Sequence, residues 1–431
     1  MRNIQKLIAF VFVFVVWSCT TDDFVTQDKE SLVTAKNNSS ENTSRKSFFF
    51  PTYSDTSMVV QYKAGTPDAE KNNIRTFNGV GNYEICHCDN QDIELWYFGG
   101  VIDAEPKRRA IKGQIDPEST TGLLEVDYEF VFGLDLDSPF IGTDADTGYI
   151  PYIKTVNTGI TIAIVDTGIA TGLTVFNTGM SPNQFLYNAE FTEISGDKSG
   201  WDFVNEDANA YDDDIGKHGS IIANMITDAL TANAIPHQIL PVKVANASGG
   251  ASYFDFLCGT LYAAERADIV SISMGWYDEG DEEDLSAIFS NIIEANNDVI
   301  MITSAGNLAS NNDMLNHFPS SYEHNNVIAV ASANSSFTKI SDFSNYGAIS
   351  VDYFALGEGI PFYDVSVQGT SFAAPQVTIE VANIFDDLGI LPPEDLKEEL
   401  NSRGTTVITD FTLLDGEYRN TLNNKYIIPF D

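Results

Sequence analysis

Ile160-Thr161-Ile162-Ala163-Ile164-Val165-Asp166-Thr167-Gly168 decides how this chain folds. The first six residues are apolar or β-branched at odd and even positions alike, and turn signals bound them. A strand apolar on both parities is buried on both faces, as parallel strands are. Similar runs recur at residues 239–244, 268–273, 299–303 and 327–331, with helical stretches at 220–230, 253–266 and 285–296 between them. Strand and helix in alternation predict an α/β domain: a parallel sheet with helices on both faces. Sites in such sheets form beyond the carboxyl ends of the strands, so the residues just after each run carry the interest.

Upstream the texture differs. Residues 20–50 are polar, most clearly Asn37-Asn38-Ser39-Ser40-Glu41-Asn42-Thr43-Ser44, and cannot bury enough surface to fold. Structure is expected from Met58, where Met58-Val59-Val60-Gln61-Tyr62 reads as a strand. Gly65, Thr66 and Pro67 then open a helix through Ile74 and Phe77. Further strands at 83–88, 94–98 and 123–132 complete a small α+β unit. The expected organisation is a leader over 1–18, a tether over 19–56, an α+β domain over 57–133, a linker over 134–158 and the α/β domain over 159–431.

Of 431 residues, 43% are hydrophobic, enough for a sizeable core, while 62 Asp and Glu against 23 Lys and Arg give a formal charge of −39. Such a surface repels phosphate backbones, which argues against nucleic acid as a partner. At the amino end, Arg2 and Lys6 precede an apolar run over 7–17 and then Ser18 and Cys19. That pattern is a secretory signal rather than a permanent span. Val16-Trp17-Ser18-Cys19 resembles a bacterial lipoprotein cleavage box, from which only Trp17 departs. Thr20, Thr21, Asp22 and Asp23 resemble the acidic export tails of some Bacteroidetes lipoproteins. The expectation is a cell-envelope lipoprotein exported across the inner membrane and touching a membrane only through lipid on Cys19; the alternative is an ordinary secreted protein.

The cysteines, 19, 86, 88 and 258, are too few for a disulfide scaffold. Cys86 and Cys88 flank His87, but two ligands do not close a zinc site, so a structural role is expected. Cys258, among Phe254, Phe256 and Leu261, reads as a buried thiol.

Four positions stand out at strand ends or helix starts. Asp166 ends the first parallel run. His218 precedes Gly219 and an apolar helix with Ile221, Ile222, Met225 and Ile226. Asn307 follows Thr303-Ser304-Ala305-Gly306. Ser371 lies in Gly369-Thr370-Ser371-Phe372-Ala373-Ala374-Pro375, which runs into Val377, Ile379, Val381 and Ile384. Singly, each has a bland reading as cap or turn. Together they supply a hydroxyl, an imidazole to take its proton, a carboxylate to fix the tautomer and an amide to meet an oxyanion. His87, His237, His317 and His324 lack such a setting and are read as structural.

With these motifs the chain resembles the subtilase family. That family carries Asp in Asp-Thr/Ser-Gly, His in His-Gly-Thr/Ser, an oxyanion Asn in Ala-Gly-Asn, and Ser in Gly-Thr-Ser-x-Ala-x-Pro. The resemblance extends through Pro241-Val242-Lys243-Val244, Ser273-Met274-Gly275, Phe318-Pro319-Ser320 and Phe343-Ser344-Asn345-Tyr346-Gly347, over about residues 150–404. One departure is Asn224, where the family often has Gly. The resemblance implies a serine endopeptidase with the triad Asp166, His218 and Ser371 and the oxyanion donor Asn307. It implies that peptide or protein substrates add as a strand between Ser248-Gly249-Gly250 and Ser273-Met274-Gly275, with Ser304, Ala305 and Gly306 helping to wall the primary pocket. Residues 57–133 are similar in layout to the family's inhibitory propeptide, so processing between about Phe132 and Asn157 is expected to separate enzyme from anchor. No cofactor is needed for catalysis. Structural calcium, used by many subtilases, points to Asp278-Glu279-Gly280-Asp281-Glu282-Glu283-Asp284, but without spaced ligands a solvated charge run is the better reading. A catalytically dead surface-binding relative would show a broken triad, and an acid-acting sedolisin would carry Glu in place of His218. Neither sign is present.

Overall fold

The N-terminal stretch and the α/β stretch build separate sheets, and the first of these takes in one strand from the α/β stretch. The computed structural model describes residues 50–86, 92–134, 148–151, 158–177, 182–188, 199–278, 286–406 and 421–429, all within the unit Ser40–Asp431. The first module contains β1 (Thr52–Tyr62), α1 (Asp68–Asn78), β2 (Val80–Ile85), β3 (Ile93–Phe98), α2 (Ala104–Lys112) and β4 (Leu123–Gly133). Its strands are antiparallel in the order β2-β3-β1-β4. Ile74 of α1 and Ile111 of α2 pack on Met58, Val60 and Trp96.

Two expectations are corrected here. β1 begins at Thr52 rather than near Met58, because Thr52 and Tyr53 pair with Val131 and Phe130, and Ser57 Oγ donates to Ser54 Oγ at 2.7 Å across the irregularity that follows. Helix α2 was not anticipated, since Ala104-Glu105-Pro106-Lys107-Arg108-Arg109 offers few apolar positions. Its inner face is made by Ile111 and by Arg108, whose buried guanidinium lies 4.9 Å from the centre of the Tyr128 ring.

The second part begins with β5 (Ile160–Asp166), the short α3 (Pro182–Phe185), β6 (Trp201–Asp202), α4 (His218–Ala232), β7 (His237–Lys243) and β8 (Gly250–Ser252). It continues through α5 (Tyr253–Ala264), β9 (Ile269–Ile272), β10 (Trp276–Asp278), α6 (Ala287–Ala295), β11 (Ile300–Ser304) and β12 (Asn316–Phe318). Last come β13 (Val327–Ala333), β14 (Tyr353–Leu356), the hairpin of β15 (Ile360–Phe362) and β16 (Val365–Val367), α7 (Thr370–Leu388), α8 (Pro393–Arg403), β17 (Thr405–Thr406) and β18 (Lys425–Ile427).

Nine strands form the central sheet in the order β17-β18-β14-β13-β11-β9-β5-β7-β6. All its pairings are parallel except β17 with β18. β5 sits inside it, and its alternate residues feed opposite layers. Ile160, Ile162 and Ile164 share a core with Ile222 of α4 and Val377 of α7. Ala163 and Val165 share another with Leu257 of α5 and Ile293 of α6. Each fully buried isoleucine stabilises the fold by about 1.5–3 kcal/mol.

The module docks through β4, which pairs antiparallel with β8 so that the module's sheet runs on into the second part. Asp127 Oδ2 accepts Ile288 N–H and Tyr253 O–H, each at 2.8 Å, while Glu129 Oε2 accepts Phe254 N–H at 3.1 Å. Two carboxylates of β4 therefore cap the amino ends of α5 and α6, where the helix dipole favours negative charge. Phe130 stacks on Tyr253 at 4.5 Å, and Phe132 meets Trp276 at 5.0 Å.

The cysteine reading is also corrected. Cys86 and Cys258 form a disulfide across a sequence separation of 172, so Cys258 is buried but is not a thiol. The strand register brings the end of β2 against α5, which no spacing in the sequence announces. Cys19, His87, Cys88 and residues 279–284 lie outside the described residues. Among those described, no helix is long and apolar enough to cross a membrane.

Candidate active site

Asp166 ends β5 and is wholly buried. Its Oδ1 accepts Thr167 N–H at 2.7 Å, and its two oxygens lie 2.8 and 3.0 Å from Nδ1 of His218. An acceptor-only group facing Nδ1 fixes the proton there and leaves Nε2 as the free base. Thr167 Oγ1 accepts Gly219 N–H at 3.0 Å, tying α4 to the strand end. A Cβ on Gly219 would meet the Gly168 carbonyl oxygen at 2.4 Å. The close approach of the two motifs is what requires glycine there.

The start of α4 has no cap from its own N-cap residue, Lys217. The preceding loop does that work: Asp214 Oδ2 accepts His218 N–H at 3.1 Å, and Asp212 Oδ2 accepts Ser220 N–H at 3.0 Å and its hydroxyl at 2.6 Å. Burial pushes Asp212 up to about 6. Burial alone would lower the His218 pKa; Asp166, then Asp214 and Asp212, outweigh it and hold His218 above the ordinary histidine value.

Ser371 stands in the first turn of α7, which packs against α4 with Phe372 5.5 Å from the His218 ring. Its Oγ donates to the Ser273 carbonyl at 3.0 Å, and Ser273 Oγ donates back to the Ser371 carbonyl at 2.9 Å. Asn307 Oδ1 accepts both Thr370 N–H and Thr370 Oγ1–H at 2.9 Å. Two donors on one atom settle which end of the amide is oxygen and leave Nδ2 as the donor end.

A single cavity brings together Ser371, Asn307 and Thr370, the strand-end residues Ser304 and Gly306, and the segment Ser273-Met274-Gly275. Of the other predicted substrate contacts, Ala305 is buried at the strand end and Ser248 is exposed in the turn before β8. Gly249 and Gly250 meet the module: Leu134 N–H donates to the Gly249 carbonyl at 2.9 Å, and Gly250 pairs with Gly133.

Three lining residues escaped the sequence reading: Gly133, Leu134 and His317. Burial lowers His317 to about 3, so its imidazole is neutral. Ser320 Oγ donates to the His317 carbonyl at 2.7 Å and lies 2.8 Å from Nδ1. With its only proton committed, that hydroxyl accepts from Nδ1–H, leaving Nε2 unprotonated. The one available signal was adjacency to Phe318-Pro319-Ser320. His237 and His324 do not line this cavity and are bonded to the Ile235 carbonyl and to Ser290 Oγ. Among the described residues no three His, Cys, Asp or Glu side chains converge as metal ligands.

The subtilase family matches residues 157–416, a span that contains all four motif residues and the cavity's lining apart from Gly133 and Leu134. The chain belongs to the subtilase family. This subtilase is 30% identical to a subtilisin-like protease of Coccidioides posadasii over 236 residues, 52% of each chain, so it spans about half that relative's length. It is 25% identical to subtilisin DY of Bacillus licheniformis over 264 residues, 58% of this chain and 86% of that one. Among solved structures, a cold-adapted subtilisin-like serine proteinase aligns with a TM-score of 0.48 at 24% identity, covering 66% of this chain and 96% of the other.

Proposed function

We propose that this subtilase is a serine endopeptidase that hydrolyses peptide bonds through an acyl-enzyme. The observations that carry the reading are the His218 imidazole, held by Nδ1 on the buried Asp166 carboxylate and 5.5 Å from the Phe372 ring of α7, and the cavity shared by the neighbouring Ser371 and Asn307. In this reading the Ser371 hydroxyl turns from the Ser273 carbonyl, passes its proton to His218 Nε2 and attacks the substrate carbonyl carbon. The oxyanion is met by Asn307 Nδ2–H and by Ser371 N–H, which lies in the first helical turn and has no intrahelical acceptor. His218 then gives the proton to the leaving amine, and a water molecule repeats the sequence on the ester.

Residues 50–134 act in this proposal as an inhibitory propeptide. Val131, Phe132 and Gly133 pair with Ser252, Ala251 and Gly250 as a substrate strand would, and Leu134 reaches the cavity that contains Ser371. The bond after Leu134 is then the processed bond. Export and anchoring through Cys19 belong to the same proposal and rest on the leader pattern alone; Cys19→Ala should leave the protein unlabelled by a fatty-acid probe.

Labelling by a fluorophosphonate, with casein hydrolysis measured beside it, tests the central claim. Processed protein should label and cleave, and Ser371→Ala should do neither. A wild-type chain that is fully processed yet neither labels nor cleaves would instead be a catalytically inactive binding relative.

A further inference from the structure

The disulfide bears on what the processed molecule is. Cys86 lies just after β2 of the module, and Cys258 lies within α5 of the subtilase domain. The connector after Leu134 falls between them along the chain, so a cut there opens one covalent path and leaves the other closed. We propose that the mature enzyme is a two-chain protein, in which residues up to Leu134 persist as a subunit linked by Cys86–Cys258. The inference rests on processing after Leu134 and goes beyond it. It also reverses the expectation that processing frees the enzyme from its anchor.

Three observations support a lasting link. Both cysteines are buried, at 3% and 1% exposure, so a reductant reaches the sulfurs only after the module lifts away. The bond also joins the helix that carries the docking surface, since α5 is the element capped by Glu129 and abutted by Phe130 and Phe132. The inhibitory strand is in turn part of the module's own sheet, with β4 paired to β1 from Thr52 to Tyr62. A link at Cys86 therefore holds the strand Val131–Leu134 through folded structure rather than through a loose chain.

The consequence is a change of molecularity. A propeptide that is merely bound leaves on dilution, whereas a linked one rebinds intramolecularly at an effective concentration of about millimolar or above. Full activity then requires further proteolysis within the module or reduction of the disulfide. The partner that fits the α5–α6–β8 surface in the mature protein is this chain's own amino-terminal segment.

The test separates the link from the processing. In Ser371→Ala, a recognition sequence for a site-specific viral protease is inserted after Ala145, and the purified chain is cut and treated with N-ethylmaleimide to block exchange. Without reductant, SDS electrophoresis should show one species; with dithiothreitol it should show two. Cys258→Ser and, as an independent variant, Cys86→Ser should give two species under both conditions. Two species from the unsubstituted cysteines without reductant would overturn the proposal, whatever the enzyme does to itself. In active, self-processed enzyme, activity per molecule should stay constant over about 1,000-fold dilution and rise on reduction. In Cys86→Ser/Cys258→Ser it should rise with dilution alone. A wild-type rise on dilution matching that of the double variant would refute a retained inhibitor. An active chain never cut after Leu134 would refute the processing, while the engineered cut still reads the link.

Discussion

Asp127→Ala should loosen the module from the subtilase domain more than any single aromatic contact suggests. Its Oδ2 is the acceptor for two buried donors of the other part, Ile288 N–H and Tyr253 O–H, each at 2.8 Å. Burial and the Asp127 carboxylate hold the Tyr253 phenol well above its ordinary pKa, so it remains a donor at every working pH. Removing the acceptor strands both donors, at about 1–3 kcal/mol each, for a total of about 2–6 kcal/mol. Asp127→Asn keeps an acceptor oxygen and loses mainly the attraction of a charge to the α6 amino end, about 0.3–2 kcal/mol. Urea unfolding of the full-length Ser371→Ala chain, followed by tryptophan fluorescence, should resolve the two variants without self-digestion. Trp276, which touches Phe130 and Phe132, reports directly on docking. The reasoning fails if alanine and asparagine destabilise equally, or if alanine costs less than about 1 kcal/mol.

Asn307→Ala should lower kcat by about 100- to 1,000-fold with little change in KM, the magnitude established for the corresponding donor in subtilisin; a change confined to KM would make Asn307 a turn residue. Asp214→Asn retains an acceptor for His218 N–H but removes a charge that raises the His218 pKa. Because the base works only when neutral, the rising limb of kcat/KM should sit above the usual histidine value of about 6.5 in wild type and move toward lower pH in the variant. A shift to higher pH would contradict that electrostatic account. Leu134→Asp would place a carboxylate against the neutral walls of Met274 and His317, and should leave the chain uncut at that bond. Amino-terminal sequencing of the catalytic chain, separated from wild-type mature enzyme by reduction, should begin at Asp135, and an unaltered start in the variant would exclude Leu134 as the recognised residue.

The parallel sheet was legible because burial on both faces leaves its mark on every residue of a strand such as Ile160–Asp166. The motif residues were legible for a related reason. Strand ends and helix starts are where a parallel sheet gathers chemistry, and Asp166, His218, Asn307 and Ser371 all occupy such positions. Helix α2 was hidden because a buried arginine and one isoleucine supply its inner face, which hydrophobic periodicity cannot register. The disulfide was hidden because pairing depends on which elements meet in space, and Cys86 and Cys258 meet only once β4 has docked. Gly133, Leu134 and His317 are ordinary residues in sequence. Their place in the cavity is set by contacts made far along the chain.

The place of β4 in the chain has a consequence in time. A polypeptide emerges amino end first, and Leu134 precedes His218, Asn307 and finally Ser371. The module can fold while the remainder is still being made. When α5 and α6 appear, the carboxylates of Asp127 and Glu129 are already in place to receive their first turns. If the module acts as the proposed propeptide, the cleft is already occupied when α7 delivers Ser371 at the last stage of assembly. On that proposal a newly made molecule passes through no interval in which a finished nucleophile faces open water beside its still-folding neighbours.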